Sequence, residues 1–366
     1  MNYKKRIKKV QARLRRRKID ALLVSQPENR RYLSGYKGGD HGIGETSGVL
    51  IIPASGSIHL LTDFRYQLQA EQDVPWATVH IYRKGLLKLL VDLLPELKIT
   101  ILGFESHYTL HSVAGKMSST LKKKGIRLVP LTNLVEKLRI IKDEDEIELL
   151  RQSVRLNEKV FQKIFPTISG KMTEIELALA IETLMRRKGA ESTSFDSIVA
   201  TGKNSALPHA VPGRTKIKKN KSLTIDMGLV LNGYCSDMTR NFVPGKATEK
   251  YIRLHRLVRK AQLAGLEKIR TGVTGKEVDH AARTVIADGG YGTMFGHGLG
   301  HGVGLAVHEE PRLSPLSRKK LKAGMIVTVE PGIYLPGWGG VRLENMVVVR
   351  EDGYENLNTD TTWLDI

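Results

Sequence analysis

Four carboxylates and a glycine-lined pair of histidines are the residues of this chain whose types and spacing could do chemistry. Asp226 and Asp237 stand on either side of Asn232-Gly233 in LTIDMGLVLNGYCSDMTRNFV. Asn-Gly between two β-rich runs signals a two-residue hairpin turn. With that turn, position 237 lies opposite 228, and 226 shares a face with 228 because side chains alternate along a strand. The two aspartates then point the same way, as diagonal neighbours roughly 7–8 Å apart. Glu330 and Glu344 occupy a second pair of runs, MIVTVEPGIYL and GVRLENMVVV, around PGWGG, with Arg342 on the face of Glu344. Acids gathered on one face repel unless something cationic sits between them. FGHGLGHGVG, residues 295–304, holds His297 and His301 four apart, but five of its ten residues are glycine. It is therefore a loop or strand end that needs close backbone approach, not a helix. One of its histidines supplies a nitrogen to the acids. Four buried carboxylates and an imidazole suit a divalent cation such as Mn²⁺, Co²⁺, Fe²⁺ or Zn²⁺.

Positioning these residues takes two hairpins and a frame that joins them. The second part of the chain carries an internal echo that can do this. MTEIELALAIETLMRRKGA begins at Met172 and VTGKEVDHAARTVIADGGY at Val273. In each, a threonine (Thr173, Thr274) is followed three residues later by a glutamate (Glu176, Glu277), the spacing of a capping box at a helix start. Sixteen residues after each threonine comes a glycine, Gly189 or Gly290, suited to ending the helix. LTIDMGL and VTVEPGI then align Asp226 with Glu330 and Gly228 with Gly332. The expectation is an α+β domain of duplicated helix-plus-hairpin units, with a pseudo-two-fold axis that brings the acid pairs together.

The first part reads as a small α/β domain. IDALLVSQ, GVLIIPA, IHLLTD and ITILGFES are short apolar runs bounded by turn residues, and FRYQLQAEQ and LHSVAGKMSSTLKKKG read as helices between them. RLVPLTNLVEKLR reads as a crossover with Pro130 near the boundary, so the domains are expected at 1–132 and 133–366. A length of 366 residues supports two domains, and 41% hydrophobic content fits a soluble globular chain. No apolar run approaches the roughly 18–20 residues that span a bilayer, so no membrane segment is expected. The basic N-terminus lacks the apolar stretch of a secretory signal. Cys235 is the single cysteine, which leaves no intramolecular disulfide and fits a reducing cytoplasm. The formal charge of +20 lies in short clusters at 4–18, 122–124, 216–221 and 318–322. Ile7, Val10 and Leu14 recur at helical spacing in the first cluster, which reads as an amphipathic helix with a solvated basic face. No base-stacking motif or zinc finger accompanies the charge, so nucleic acid is not an expected partner.

IDMG, GYCSDMTR, GHGLGHGVGLAVHE, TVEPGIY and GGVRLEN resemble the motifs of the metal-dependent Xaa-Pro peptidases, prolidase and aminopeptidase P, of the pita-bread fold. NRRYLSGY and TDFRYQLQA resemble the creatinase-type N-terminal domain of the same proteins, and LRIIKDEDEIELLRQSV resembles their lead-in to the catalytic domain. The resemblance covers nearly the whole chain. It implies cleavage of the peptide bond before proline with two divalent metal ions, Mn²⁺ foremost, in a cytoplasmic homodimer acting on proline-containing peptides. It implies that Asp226 chelates one metal, that Asp237 and Glu344 bridge both, and that His301 and Glu330 complete the second site. His297 is then a supporting residue. His209 in ALPHA and His308 in AVHE fall where the family has pocket histidines, for substrate and oxyanion. Glu330 would also move the proton, and Tyr334 and Arg342 fall on active-site positions. Arg312 stands where prolidase-like members hold the substrate carboxylate. Ser236, Thr239 and Arg240 would support the ligands.

Three features depart from the family pattern. Asn345 replaces the usual aspartate after the last ligand glutamate, Asn241 replaces the usual threonine after DMTR, and GYKGGDHGIGETSG is longer than the common glycine-rich turn. None removes a ligand. The rival within the class is an aminopeptidase acting on longer peptides, and Arg312 tilts the balance to dipeptides. Methionine aminopeptidase lacks the long N-terminal domain, and creatinase does not keep the metal carboxylates. A metal-free binding module of the same fold would have lost ligands, and all five positions are filled.

Overall fold

A computed structural model of the chain describes residues 1–40 and 42–361, and these fall into two compact units, Met1–Arg139 and Ile140–Ile366. The first unit runs α1 (Tyr3–Arg16), β1 (Ala21–Val24), α2 (Pro27–Ser34), β2 (Val49–Pro53), β3 (His59–Thr62), α3 (Gln67–Asp73), β4 (Thr78–Ile81), α4 (Leu86–Glu96), β5 (Ile101–Glu105), α5 (His111–Lys122), β6 (Arg127–Leu131) and α6 (Glu136–Arg139). Its six strands form one mixed sheet in the order β4-β3-β2-β1-β5-β6. Central β1 is buried along its whole length, as a strand covered on both faces must be. Ile7, Val10 and Leu14 of α1 are buried, while Lys4, Lys5, Lys8 and Lys9 stay exposed. The amphipathic reading of the first basic cluster therefore holds.

Residues 127–131 are a strand, not a crossover. They pair in parallel with β5, from Ile101↔Arg127 to Glu105↔Leu131. Pro130 is tolerated because β6 is an edge strand, where a missing N–H costs no ladder bond. The first unit ends at 139 and not at 132, because 133–139 is tied back into it. Leu134 and Val135 are buried, and Asn29 accepts from Arg139 Nη1 at 2.8 Å while donating to Glu136. The long glycine-rich stretch 35–48, of which His41 lies outside the described residues, is organised by the fully buried Arg30. Its guanidinium donates to both oxygens of Asp40, at 2.8 and 3.1 Å, and to Thr46 and Ser47 at 3.0 Å.

The second unit runs α7 (Glu144–Ile164), α8 (Glu174–Arg187), β7 (Ser192–Thr193), β8 (Ile198–Thr201), β9 (Leu223–Met227), β10 (Leu229–Leu231), β11 (Tyr234–Cys235) and β12 (Met238–Phe242). It continues through α9 (Glu249–Lys268), α10 (Gly275–Asp288), β13 (Gly300–Gly302), β14 (Glu309–Leu313), β15 (Ile326–Val329), β16 (Gly332–Leu335), β17 (Gly339–Arg342), β18 (Asn345–Val349) and β19 (Tyr354–Asn356). The duplication is present in detail. Thr173 and Thr274 both close capping boxes with Glu176 and Glu277, and both helices run 14 residues. Gly189 and Gly290 follow with φ of +100° and +82°, conformations that stop a helix at little cost only for glycine. Each cap threonine also bridges to a lysine of a later segment, Thr173 to Lys216 and Thr274 to Lys320.

Both hairpins keep one register from turn to site. Asn232 and Gly233 have φ of 51° and 84°, the two positive values that a two-residue hairpin turn of this kind requires. Val230↔Cys235 above and Met227↔Met238 below share that register, so 237 stands opposite 228 as expected. In the second hairpin, Gly332↔Arg342 and Val329↔Asn345 also share a register, which sets Glu330 directly opposite Glu344. The cores lie behind these strands. α9 and α10 pack Val258, Ala261, Val278 and Ala282 against Val327 and Val329 of β15 and Val341 of β17.

Candidate metal centre

The five expected donors converge. Asp226 is on β9, Asp237 immediately precedes β12, His301 is the middle residue of β13, Glu330 links β15 to β16, and Glu344 links β17 to β18. Ligand atoms of Asp237, His301 and Glu344, all buried, lie within 4.8 Å of one another. His301 Nε2 is 3.3 Å from Glu330 Oε1 and 3.6 Å from Asp237 Oδ2. The glycines flanking His301 explain the odd composition of its loop. A Cβ on Gly300 would lie 2.1 Å from the Thr328 carbonyl oxygen, and one on Gly302 would lie 2.4 Å from that of Glu310. Only a strand without side chains at these two positions lets β13 sit this close to its neighbours.

The acids are held in place by groups that leave lone pairs facing inward. Thr239 Oγ1 donates to Glu344 Oε2 at 2.7 Å and accepts from Arg342 Nε at 3.0 Å. Arg342 Nη2 donates to Asp226 Oδ2 at 2.7 Å, and Thr328 Oγ1 donates to Glu330 Oε1 at 3.0 Å. His301 Nδ1 faces the Gly302 carbonyl at 3.1 Å, so that nitrogen carries the proton and the Nε2 lone pair faces the carboxylates. Burial, reinforced by the charges of Glu344, Asp226 and Glu330, pushes the Asp237 carboxyl well above its usual range. Burial with Glu330 and Asp226 does the same to Glu344. Asp226 is raised by burial despite Arg342. Burial would raise Glu330 too, but the neighbouring His301, His297 and Arg342 together outweigh it and hold its carboxyl at about 2.

These observations test whether the residues fit a divalent cation. Asp226 Oδ1 is buried with no hydrogen-bond partner among the described residues. Asp237 and Glu344 are raised by burial and by the carboxylates around them, and an imidazole lone pair points at them. A cation among them relieves all three costs at once. Oxygen donors with a single nitrogen fit Mn²⁺, Co²⁺, Fe²⁺ or Zn²⁺.

Around the donors lies a cavity of about 670 Å³, lined by all five and by His209, His308, Arg312 and Arg342. His308 meets the His301 ring edge-to-face at 4.3 Å between centroids. Tyr334 does not line the cavity. It sits behind it, accepting from Arg342 Nη1 at 2.9 Å and meeting His297 Nε2 at 3.0 Å. Asn345 and Asn241 are absorbed locally. Arg240 Nη1 donates to Asn345 Oδ1 at 3.2 Å, and the same guanidinium has Glu158 and Asp360 at 3.7 and 3.8 Å. Asn241 joins Thr224 on its neighbouring strand to the Gly340 carbonyl of the other hairpin, at 2.7 and 3.2 Å. Sequence reasoning missed a further part of the wall, where Phe195, Asp196, Ile198 and Val211 line the cavity. A loop acid between Phe195 and Ser197 has no spacing that distinguishes it from surface.

The metallopeptidase family M24 model matches residues 148–351, and the creatinase/prolidase N-terminal domain model matches residues 6–141. The chain belongs to metallopeptidase family M24. An Xaa-Pro dipeptidase of Pyrococcus furiosus is 33% identical over 357 residues, 97% of each chain. The structure of an Xaa-Pro dipeptidase from Bacillus anthracis superposes with a TM-score of 0.91 at 36% identity, covering 98% of both chains. An X-Pro aminopeptidase structure from Thermotoga maritima gives 0.86 at 35%, covering 95% of this chain and 98% of that one. The M24 chain is thus a peptidase of the pita-bread architecture with a creatinase-type N-terminal domain. Among its described residues no helix is long and apolar enough to cross a membrane.

Proposed function

We propose that this M24 peptidase is a dinuclear Xaa-Pro dipeptidase, with manganese the foremost of its candidate ions, working as a cytoplasmic homodimer. Asp226 would hold one ion, Asp237 and Glu344 both, and His301 with Glu330 the second. Bound divalent cations supply water that ionises near neutral pH and a polarised scissile carbonyl. The protein's own groups do the rest. Glu330 takes up a proton and returns it to the proline nitrogen as the C–N bond breaks. His209 and His308 face the oxygen on which negative charge develops. Arg342, anchored to Tyr334 and to the Pro208 carbonyl, keeps Asp226 aimed inward.

One observation carries the choice of dipeptides. Arg312 pairs with His301 across β13 and β14, so the two side chains leave the same face of adjacent strands. A guanidinium one strand spacing from a metal donor can hold the carboxylate of a dipeptide whose scissile bond lies at the metals. No carboxylate among the described residues pairs with Arg312, which leaves the fork open for a bidentate partner. The experiment is kcat/KM for a dipeptide and its C-terminal amide, in wild type and Arg312→Ala. Arg312 is exposed in the free chain, and loss of one partner of such a pair costs about 2–5 kcal/mol once bound substrate covers it. The variant should therefore raise KM for the dipeptide at least about tenfold and spare the amide. Equal losses on both, or a wild-type preference for the amide, would favour the aminopeptidase instead.

A further inference from the structure

The cavity has two unlike walls. The β13–β14 side presents His308 and Arg312, which suit an anionic group. The side next to Asp226 comes from the β7–β8 connection and residues 208–212, with Ile198 paired to Asp226 across β8 and β9. It presents Phe195, Ile198, His209, Ala210 and Val211, and among them Asp196. Asp196 is the one cavity-lining acid outside the metal-donor set. It is exposed, and no described residue forms an ion pair or hydrogen bond with its side chain. That is unusual company for an acid in this chain, where 58 lysines and arginines outnumber 38 acids.

A dipeptide with its proline carboxylate on Arg312 and its scissile bond at the metal donors must extend its first residue away from the β13–β14 wall. Apart from His209, assigned above to the oxyanion, the side next to Asp226 is apolar with a single acid. An aliphatic stem ending in a cation matches that sequence of surfaces. We infer that Asp196 is a specificity residue that favours dipeptides with lysine or arginine before proline. The stem lies on Phe195 and Ile198, and the charged end pairs with Asp196. This rests on the Xaa-Pro dipeptidase reading above. Because Asp196 is open to solvent, the gain is modest, on the order of two- to fivefold in kcat/KM. It also weakens as salt screens the pair.

The test compares Lys-Pro with norleucyl-proline, which keeps the stem and lacks the charge. Wild type should prefer Lys-Pro about two- to fivefold at low salt, with the ratio shrinking as salt is added. Asp196→Asn should bring the ratio to about one while leaving norleucyl-proline turnover unchanged, which shows that the pocket is intact. Asp196→Lys should turn the preference toward Glu-Pro. A wild-type ratio at or below one overturns the inference. Equal losses on both substrates in Asp196→Asn also overturn it, because Asp196 would then serve the shared α-ammonium or the wall itself. Turnover of neither peptide by the metal-loaded wild type defeats the Xaa-Pro reading and the inference with it, a result distinct from turnover with a flat ratio.

Discussion

His297 and His301 lie four residues apart in one glycine loop, yet the structure gives them opposite surroundings. His301 Nε2 faces Glu330 and Asp237, whereas His297 Nε2 meets the Tyr334 hydroxyl and its backbone is held by Arg283. His301→Ala should therefore strip metal from the protein, while His297→Ala should keep full metal content. Metal analysis after dialysis separates the two, and equal losses would mean that the donor has been misassigned. The acids were legible at this scale because their chemistry is intolerant. Four carboxylates on converging strand faces have few explanations besides a cation. Which histidine joins them was not legible from spacing alone and came from the family motif. Asp196 and Phe195 were not legible at all, because a single loop acid and a single aromatic carry no pattern until the chain around them is folded.

Register is what turns a sequence pattern into a site. Asn232-Gly233 sets it for the first hairpin, and the unbroken register through Val329↔Asn345 and Gly332↔Arg342 sets it for the second. β13 must then approach β15 closely enough to bring His301 to the acids, and Gly300 permits this. Gly300→Ala would push a methyl group into the Thr328 backbone, which no rotamer change can relieve. The expected cost is about 1–3 kcal/mol of stability together with weaker metal binding, read from thermal melts and metal titration. A variant that melts and binds like wild type would show that the strands have slack. Elements with clean signals were readable in advance, such as the capping boxes and the Asn-Gly turn. α4 went unread although its period is there, with Lys88, Asp92 and Glu96 recurring every four residues away from the buried Leu90, Leu93 and Leu94. β6 was obscured by Pro130, which looks like a boundary until its strand is known to be an edge.

The duplicated unit was the most legible feature of the whole molecule, since threonine, glutamate and glycine recur at the same offsets in both halves. The division at 139 was not, because the ties that hold 133–139 to the first unit join residues more than a hundred positions apart. The buried frame behind the hairpins also sets a pH limit. His255 on α9 is pushed down to about 4 by burial, next to Tyr251, whose hydroxyl donates to Asn241. In the unfolded chain it titrates near 6.5, so the unfolded state binds more protons between those values. This contribution is fully present above about pH 6.5 and is lost as pH falls toward 4, at most about 3 kcal/mol. Denaturant melts of His255→Gln and wild type at matched pH should show a gap that shrinks or reverses over that window, and a constant gap would exclude the role. The central claim is that five converging donors bind two divalent ions and thereby cleave Xaa-Pro dipeptides. Its most direct measurement is hydrolysis of Leu-Pro as Mn²⁺ is titrated into metal-stripped protein. Activity should rise from zero and saturate at two ions per chain. Full activity without metal, or no hydrolysis with both ions bound, would contradict it.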